Sequence, residues 1–373
     1  MGRITLGYEN GRQVRRAYYG PTAAEVRAKM AEAQAKLQTG ATPVTRGRGA
    51  TLAGYVREVY LPGAEHRLGP RTLLRYRELL EQHVLPTLGT KQIAKLQPGD
   101  VEALLSAKLK EPARGGVLSP GTVGHIRTAL RAVLNRAIRD GLAVRNAASL
   151  ASPPRVGRRE LSLLKRDELQ LLLESAEAHR DGPFWILLLT TGCRTGEALA
   201  LRWSDINEEA RTMSIGRTLH RLDGTYQLLD TKTRLSRRTV PLTELGLGAL
   251  RRQKALQAKE RLATKSWDGS WDGLVFRSPR GLPLNGSLLT HRFQEHLASI
   301  GLPAKFRLHD CRHQAASMLV AAGLPVREVQ AVLGHASPTT TLAIYGHLVE
   351  GGQRAVAETM QQLLTFSESA GES

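Results

Sequence analysis

The chain has 373 residues, 41% of them hydrophobic, with 53 Lys and Arg against 34 Asp and Glu and a formal net charge of +19. That length exceeds one ordinary domain, and the basic balance points to a polyanionic partner, of which nucleic acid is the commonest. No stretch approaches the ~20 apolar residues of a membrane span, the N-terminal Met1-Gly2-Arg3-Ile4-Thr5 has no apolar signal core, and Cys193 and Cys311 are too few for a disulfide scaffold or an all-Cys zinc site, which fits a reducing, intracellular setting.

Taken in chain order, Ile4 to Tyr8 and Val14 to Tyr19 flank Asn10-Gly11. An Asn-Gly pair between strand-like runs predicts a β-hairpin, because both turn residues need positive φ. A helix should follow from Thr22, with Thr22 and Glu25 as a capping box. Val26, Met30, Ala33 and Leu37 share one face, and Gly40 stops the run. So small a unit has little core and calls for docking on DNA or protein. Arg3, Arg12, Arg15 and Arg16 on the hairpin are the residues that would meet phosphates or a groove. Residues 41–50, with Pro43, Arg46, Gly47, Arg48 and Gly49, form a flexible basic linker.

Residues 51–150 are expected to be all-helical. In the helix near Thr122 to Arg139, Ile126, Leu130, Val133, Leu134, Ala137 and Ile138 recur at helical spacing, while Arg127 and Arg131 lie largely off that stripe. Another helix centres on Thr72 to Arg77 and carries Arg75. Arg75, Arg127 and Arg131 are candidates to lie along a DNA backbone. Pro153-Pro154 and the basic segment Arg155 to Arg159 give a second linker, residues 151–159. Beyond it the chain is mixed. Helices are expected at Lys165–Ala178, Pro183–Thr190 and Thr195–Leu201, then strands at Thr212–Arg217, Thr225–Leu229 and Arg238–Leu242, with Asp223-Gly224 as a hairpin turn. Helices follow to a disordered tail at 366–373.

Chemistry enters with seven residues of the last half: Arg194, Glu197, Lys232, His309, Arg312, His335 and Tyr345. Breaking a phosphodiester without metal requires neutralising the non-bridging oxygens and protonating the leaving oxygen. Arg194 and Arg312 suit the first task, since guanidinium forks match phosphate and keep their charge. Lys232 suits the second, because neighbouring cations lower an ammonium's pKa. Tyr345 offers an oxygen nucleophile, His309 or a neighbouring group can take its proton, and His335 can donate to developing charge. Glu197, one turn after Arg194, is placed to hold that guanidinium. Singly each residue has a plainer explanation. Lys232, for example, sits in a basic run with Arg234, Arg237 and Arg238, where solvated charge is the default.

The local words are more specific than the residues. Thr191-Gly-Cys-Arg-Thr-Gly-Glu197, Thr231-Lys-Thr233, His309-Asp-Cys-Arg-His313, Leu333-Gly-His335 and Ala343-Ile-Tyr-Gly-His347 follow in order. Together they resemble the tyrosine recombinase (phage integrase) family over residues 160–365. The resemblance implies a mainly α fold with small β-sheets and a nucleophilic Tyr345 that forms a 3′-phosphotyrosyl bond and releases a 5′-hydroxyl. Arg194, Arg312, His309 and His335 would surround the scissile phosphate, with Lys232 as general acid and Glu197 in support. Cys193 and Cys311 depart from the apolar residues more usual there. They directly precede the two clamp arginines, which raises a redox role beside plain packing.

More weakly, 51–150 resembles the helical core-site-binding domain and 1–40 the arm-site-binding domain of integrases related to that of phage lambda. The implied partners are double-stranded DNA at core-type and arm-type sites, a homotetramer on that DNA, a host DNA-bending protein and an excision factor. No cofactor, metal or membrane is implied, and the setting is a bacterial cytoplasm, nucleoid-associated. A helix after Tyr345, with Val356, Met360, Leu363 and Leu364 on one face, would pack on a neighbouring protomer or in cis. Alternatives are a conjugative-transposon recombinase, a resolvase, a type IB topoisomerase or a silent DNA-binding regulator. A metal nuclease is disfavoured, because no carboxylate cluster has a ligand-like arrangement.

Overall fold

The computed structural model describes residues 2–9, 12–38, 50–110, 112–113, 116–153, 157, 162–231 and 237–334. Lys232, His335, Tyr345, the Asn10-Gly11 turn, most of both linkers and the segment after Tyr345 lie outside them. The chain divides into two compact units, Met1–Arg158 and Arg159–Ser373.

The first unit opens with the expected hairpin. Strands β1 (Gly2–Glu9) and β2 (Arg12–Tyr18) pair antiparallel, with Ile4 opposite Arg16, Thr5 opposite Arg15 and Glu9 opposite Arg12. Helix α1 (Ala23–Gln38) packs on both strands, with Val26 buried. Thr22 Oγ1 accepts from the Glu25 N–H at 3.3 Å, which is half of the expected capping box.

A helical core follows. Helix α2 (Leu52–Tyr55) runs through a π turn (Val56–Tyr60) into α3 (Leu61–Ala64). Likewise α4 (Pro70–Leu79) runs through a π turn (Leu80–Val84) into α5 (Leu85–Leu88). Each π turn ends two residues before a proline, Pro62 or Pro86. A proline inside an α-helix lacks its N–H and drives its ring into the carbonyl four residues back. Here the preceding residue reaches back five instead, Leu61 to Val56 and Leu85 to Leu80, so the helix widens and continues. Helices α6 (Pro98–Lys110) and α7 (Pro120–Arg139) complete the bundle, with a two-residue strand pair, β3 (Pro112–Ala113) and β4 (Gly116–Val117), between them. Of the expected α7 stripe, Ile126, Leu130, Val133, Leu134 and Ala137 are buried and Ile138 is half-buried, and Val123 is buried beside them. Asn146 caps α8 (Ala147–Leu150) and donates to the Arg131 carbonyl at 2.9 Å, seating α8 on α7.

In the second unit α9 (Arg166–Ala178) leads to α10 (Gly182–Thr191). Phe184 to Leu189 are all buried, so α10 is apolar all round and sits in the middle of its core. Trp185 meets Phe293 edge-on with ring centres 5.2 Å apart, and Phe184 meets Phe276 at 4.9 Å. After α11 (Thr195–Leu199) come five strands in two sheets. Strands β5 (Ile206–Asn207), β6 (Thr212–Ile215) and β9 (Arg238–Pro241) form one, in the order β5-β6-β9. Strands β7 (Arg217–Leu222) and β8 (Thr225–Asp230) form the other. The single strand expected at Thr212–Arg217 therefore breaks at Gly216, and Arg217 opens a new one. Asp223 and Gly224 turn with φ of 47° and 81°, the paired positive values of a tight hairpin. Helices α12 (Glu244–Ala263), α13 (Gly286–Ser299), α14 (Asp310–Ala321) and α15 (Val326–Leu333) complete the unit. Among the described residues no helix is long and apolar enough to cross a membrane.

Phe293 is fully buried between Trp185 and Phe306. Phe293→Ala should lower the stability of the second unit by about 3–5 kcal/mol. All four tryptophans (185, 203, 267 and 271) belong to that unit, so denaturant unfolding followed by tryptophan fluorescence measures the shift.

Candidate active site

The site grows from the end of α10. Its chain leaves the helix through Gly192, held left-handed at φ 62°. A Cβ there would lie 2.5 Å from Leu333 Cδ2, so the position demands glycine twice over, for conformation and for space. The turn buries Cys193 and delivers Arg194 to the start of α11.

Glu197 lies on the first turn of α11 and is buried, 5% exposed. Its carboxylate accepts from the Arg194 backbone N–H at 2.9 Å and from Arg194 Nη1 at 2.7 Å. It also accepts from Arg238 Nη2 at 2.9 Å and Nη1 at 3.3 Å. Burial alone would raise the Glu197 pKa. The hydrogen bond and charge of Arg238, followed by those of Arg194, outweigh it and hold the carboxyl below its ordinary range.

Arg238 Nε donates to the Val332 carbonyl at 2.6 Å, and Arg194 Nη2 donates to the Gly334 carbonyl at 2.9 Å. The end of α15 is thus tied to both arginines. Gly334 is left-handed at φ 66°, and a Cβ on it would lie 2.8 Å from Arg238 Nη1. His335 follows directly.

Arg312 comes from the first turn of α14, one residue after buried Cys311. It is 4% exposed, and its Nη1 donates to the Gly192 carbonyl at 2.7 Å. Its Nη2 is buried without a hydrogen-bond partner. Burial, then the nearby Arg194 charge, lowers the Arg312 pKa to about 10, so the guanidinium stays charged at neutral pH. A buried donor left unsatisfied costs about 1–3 kcal/mol. Asp310 is buried and accepts from the Arg307 N–H at 2.9 Å, which fixes the turn carrying exposed His309. Gln314 exchanges hydrogen bonds with the Leu164 backbone, at 2.9 and 3.3 Å, and pins α14 to the approach to α9.

The structure therefore brings Arg194, Glu197 and Arg312 together, puts His309 at the mouth of α14, and leaves Lys232, His335 and Tyr345 outside the described residues. Cys193 and Cys311 are both fully buried, and burial pushes the Cys193 thiol up to about 11 and raises Cys311 as well. Thiols so placed are protonated and shielded from oxidants, which favours packing over a redox role. Arg238 was expected to be solvated, and the structure overturns that expectation: its side chain is 6% exposed. The signal was the strand period. Arg238 and buried Val240 lie two apart on β9 and face the same side, whereas exposed Arg237 faces the other and pairs with Asp230 at 2.9 Å. In the first unit Arg75 and Arg131 are exposed. Arg127 instead donates to the Ala151 and Ser149 carbonyls, both at 3.1 Å, so part of its guanidinium is engaged in tying the end of α8 to α7. Among the described residues no group of His, Cys, Asp or Glu is arranged to hold a metal ion.

A buried carboxylate holds two guanidinium groups beside a third arginine with one unsatisfied donor, on a mainly helical fold with small antiparallel sheets, and such a cationic cluster suits a phosphate-bearing ligand. Comparison with known proteins names the family. Residues 162–351 match the phage integrase family, and residues 54–109 match its N-terminal SAM-like domain. An integrase of Saccharopolyspora erythraea is 27% identical over 344 residues, covering 78% of this chain and 77% of the relative. Tyrosine recombinase XerC of Mesorhizobium japonicum is 30% identical over 291 residues, covering 74% of this chain and 85% of the relative. The Tn1549 transposon integrase in complex with transposon right end DNA superposes with a TM-score of 0.69 at 22% identity, covering 84% of this chain and all of that one. A lambda integrase dimer bound to a core site gives 0.57 at 18% identity, covering 79% and 95%. The chain belongs to the phage integrase family and is a tyrosine site-specific recombinase.

Glu197→Gln should cost about 3–5 kcal/mol at neutral pH, because it takes the anion from buried Arg238. A carboxyl whose folded pKa is depressed stabilises the fold above its unfolded value, near 4.5, and loses that contribution as pH falls toward the folded one. The gap between parent and variant in denaturant unfolding should therefore close as pH drops below 4.5.

Proposed function

We propose that this recombinase cleaves and rejoins double-stranded DNA through Tyr345, with Arg194, Lys232, His309, Arg312 and His335 around the scissile phosphate and Glu197 orienting the clamp. The observation that carries this reading is the arginine cluster itself. Glu197 is screened by Arg194 and Arg238, and Arg312 keeps an unpartnered buried Nη2 beside them. That leaves a preorganised cationic seat for a diester.

In the first step the Tyr345 oxygen attacks phosphorus and His309 accepts the phenolic proton. The bond to O5′ breaks, Lys232 protonates that oxygen, and a 3′-phosphotyrosyl ester remains. Arg194 and Arg312 hold the two non-bridging oxygens, and His335 donates to the charge that grows on them. The 5′-hydroxyl of a second strand then attacks the ester and gives its proton to Lys232, the phosphorus–phenolate bond breaks, and His309 returns the phenolic proton to Tyr345. The ester keeps the free energy of the broken diester, so no ATP is needed.

Residues 1–40 bind arm-type sites in this reading, with Arg3, Arg12, Arg15 and Arg16 on the hairpin. Residues 51–150 bind core-type sites, through Arg75, Arg131 and the remaining donors of Arg127, and residues 160–365 catalyse. Linkers at 41–50 and 151–159 join them, and 366–373 form a tail. Strand exchange uses four active sites, hence a homotetramer on DNA, in which the segment after Tyr345 packs on a neighbouring protomer. The DNA belongs to a phage or another integrating element, and a host DNA-bending protein and an excision factor set the geometry and direction. The protein works at the bacterial nucleoid.

Tyr345→Phe should keep DNA affinity and lose all covalent adduct on a nicked suicide substrate; an adduct that persists would remove Tyr345 as nucleophile. Lys232→Ala should cleave ordinary DNA slowly and recover when the bridging 5′ oxygen is replaced by sulfur, which leaves without a proton. If six or more phosphates are contacted, affinity should fall about a thousandfold or more between 50 and 200 mM salt in a titration.

A further inference from the structure

We infer that Arg238 is a positioning residue for the recombination chemistry, a strut that locks three catalytic segments into one register. One guanidinium reaches all three. Its Nη atoms bind the Glu197 carboxylate, which in turn carries Arg194. Its Nε binds the Val332 carbonyl in the last turn of α15, two residues before Gly334 and three before His335. Its own backbone starts β9, where Arg238 pairs with Ile215 of β6, at the end of the segment that begins with Lys232.

The packing leaves little slack. The Arg238 side chain is 6% exposed, and Gly334 sits so close to the guanidinium that a Cβ on it would meet Nη1 at 2.8 Å. A lysine cannot reproduce this arrangement, because one ammonium has no planar fork to match the carboxylate while also reaching a carbonyl on another element. Arg238 also neutralises the buried Glu197 charge. Without it, Glu197 would draw on Arg194 alone, and Arg194 would face the scissile phosphate with part of its charge already spent. Arg238 does not itself touch substrate in this arrangement; it acts through Arg194 and the His335 segment.

The inference rests on the proposed reading of the site, and the test separates the two. Full-length Arg238→Lys and Arg238→Met proteins would be assayed on a nicked duplex that the parent cleaves. A second duplex would carry an uncharged methylphosphonate at the scissile position, which needs less cationic stabilisation. Tyr345→Phe and Arg194→Ala would run beside them, with DNA affinity and thermal melting recorded for each.

On the ordinary diester both Arg238 variants should be slower than the parent by about 10- to 100-fold, at unchanged DNA affinity. On the methylphosphonate the loss should shrink about tenfold or more, as it should for Arg194→Ala. An equal loss on both duplexes would make Arg238 a merely structural residue and overturn the inference. So would parent rates in both variants. An adduct surviving Tyr345→Phe would instead overturn the reading of the site.

Discussion

One buried carboxylate shared by two arginines is the interaction on which the rest of the site depends. Removing Glu197 from water costs several kcal/mol unless its charge is met. Arg238, from the far end of the sheet, and Arg194, from the same turn, meet it with four hydrogen bonds from side chains and backbone. Both guanidinium groups keep further donors, and these reach the Val332 and Gly334 carbonyls. An ion cluster of this kind gives geometry rather than raw stability. It fixes where a positive charge stands before substrate arrives, which is what electrostatic catalysis requires. Arg312 is placed on the same logic, held by one carbonyl and left with a buried donor that only an added acceptor can satisfy.

The surrounding fold makes that cluster affordable. Helix α10 is hydrophobic on every side and anchors the second core. Its left-handed glycine cap turns the chain so that Cys193 packs inward and Arg194 emerges. A second left-handed glycine, Gly334, ends α15 against Arg238. Both glycines stand where a Cβ would collide, Gly192 with Leu333 and Gly334 with Arg238, so the two Gly-containing words serve packing as much as chain reversal. In the first unit the same economy shows at Pro62 and Pro86, where a π turn lets a helix carry a proline without breaking.

Much of this was legible in the sequence, and the limits have physical causes. The hairpin at Asp223-Gly224, the stripe of α7 and the span of α10 follow from turn chemistry and periodicity, which are local. The words around Arg194 and Arg312 were legible because their chemistry fixes residue types at short spacing. Arg238 was not, because a charged residue in a basic run looks solvated until its strand is paired and its face assigned. The tie from Arg127 to the end of α8 was missed for a similar reason, since its acceptors are backbone carbonyls more than twenty residues away. The break at Gly216 and the π turns depend on how neighbouring segments register, which composition does not encode. Burial of Cys193 and Cys311 favours packing, a choice that their positions in the sequence left open.

The central claim is that this cationic seat serves a tyrosine nucleophile carried on the segment beyond α15. The most direct measurement is peptide mass mapping of the SDS-resistant adduct formed with a nicked attachment-site duplex in EDTA. The account expects a single phosphotyrosyl-linked peptide containing Tyr345. An adduct on any other residue, or tight binding to a cleavable site with no adduct at all, would contradict it.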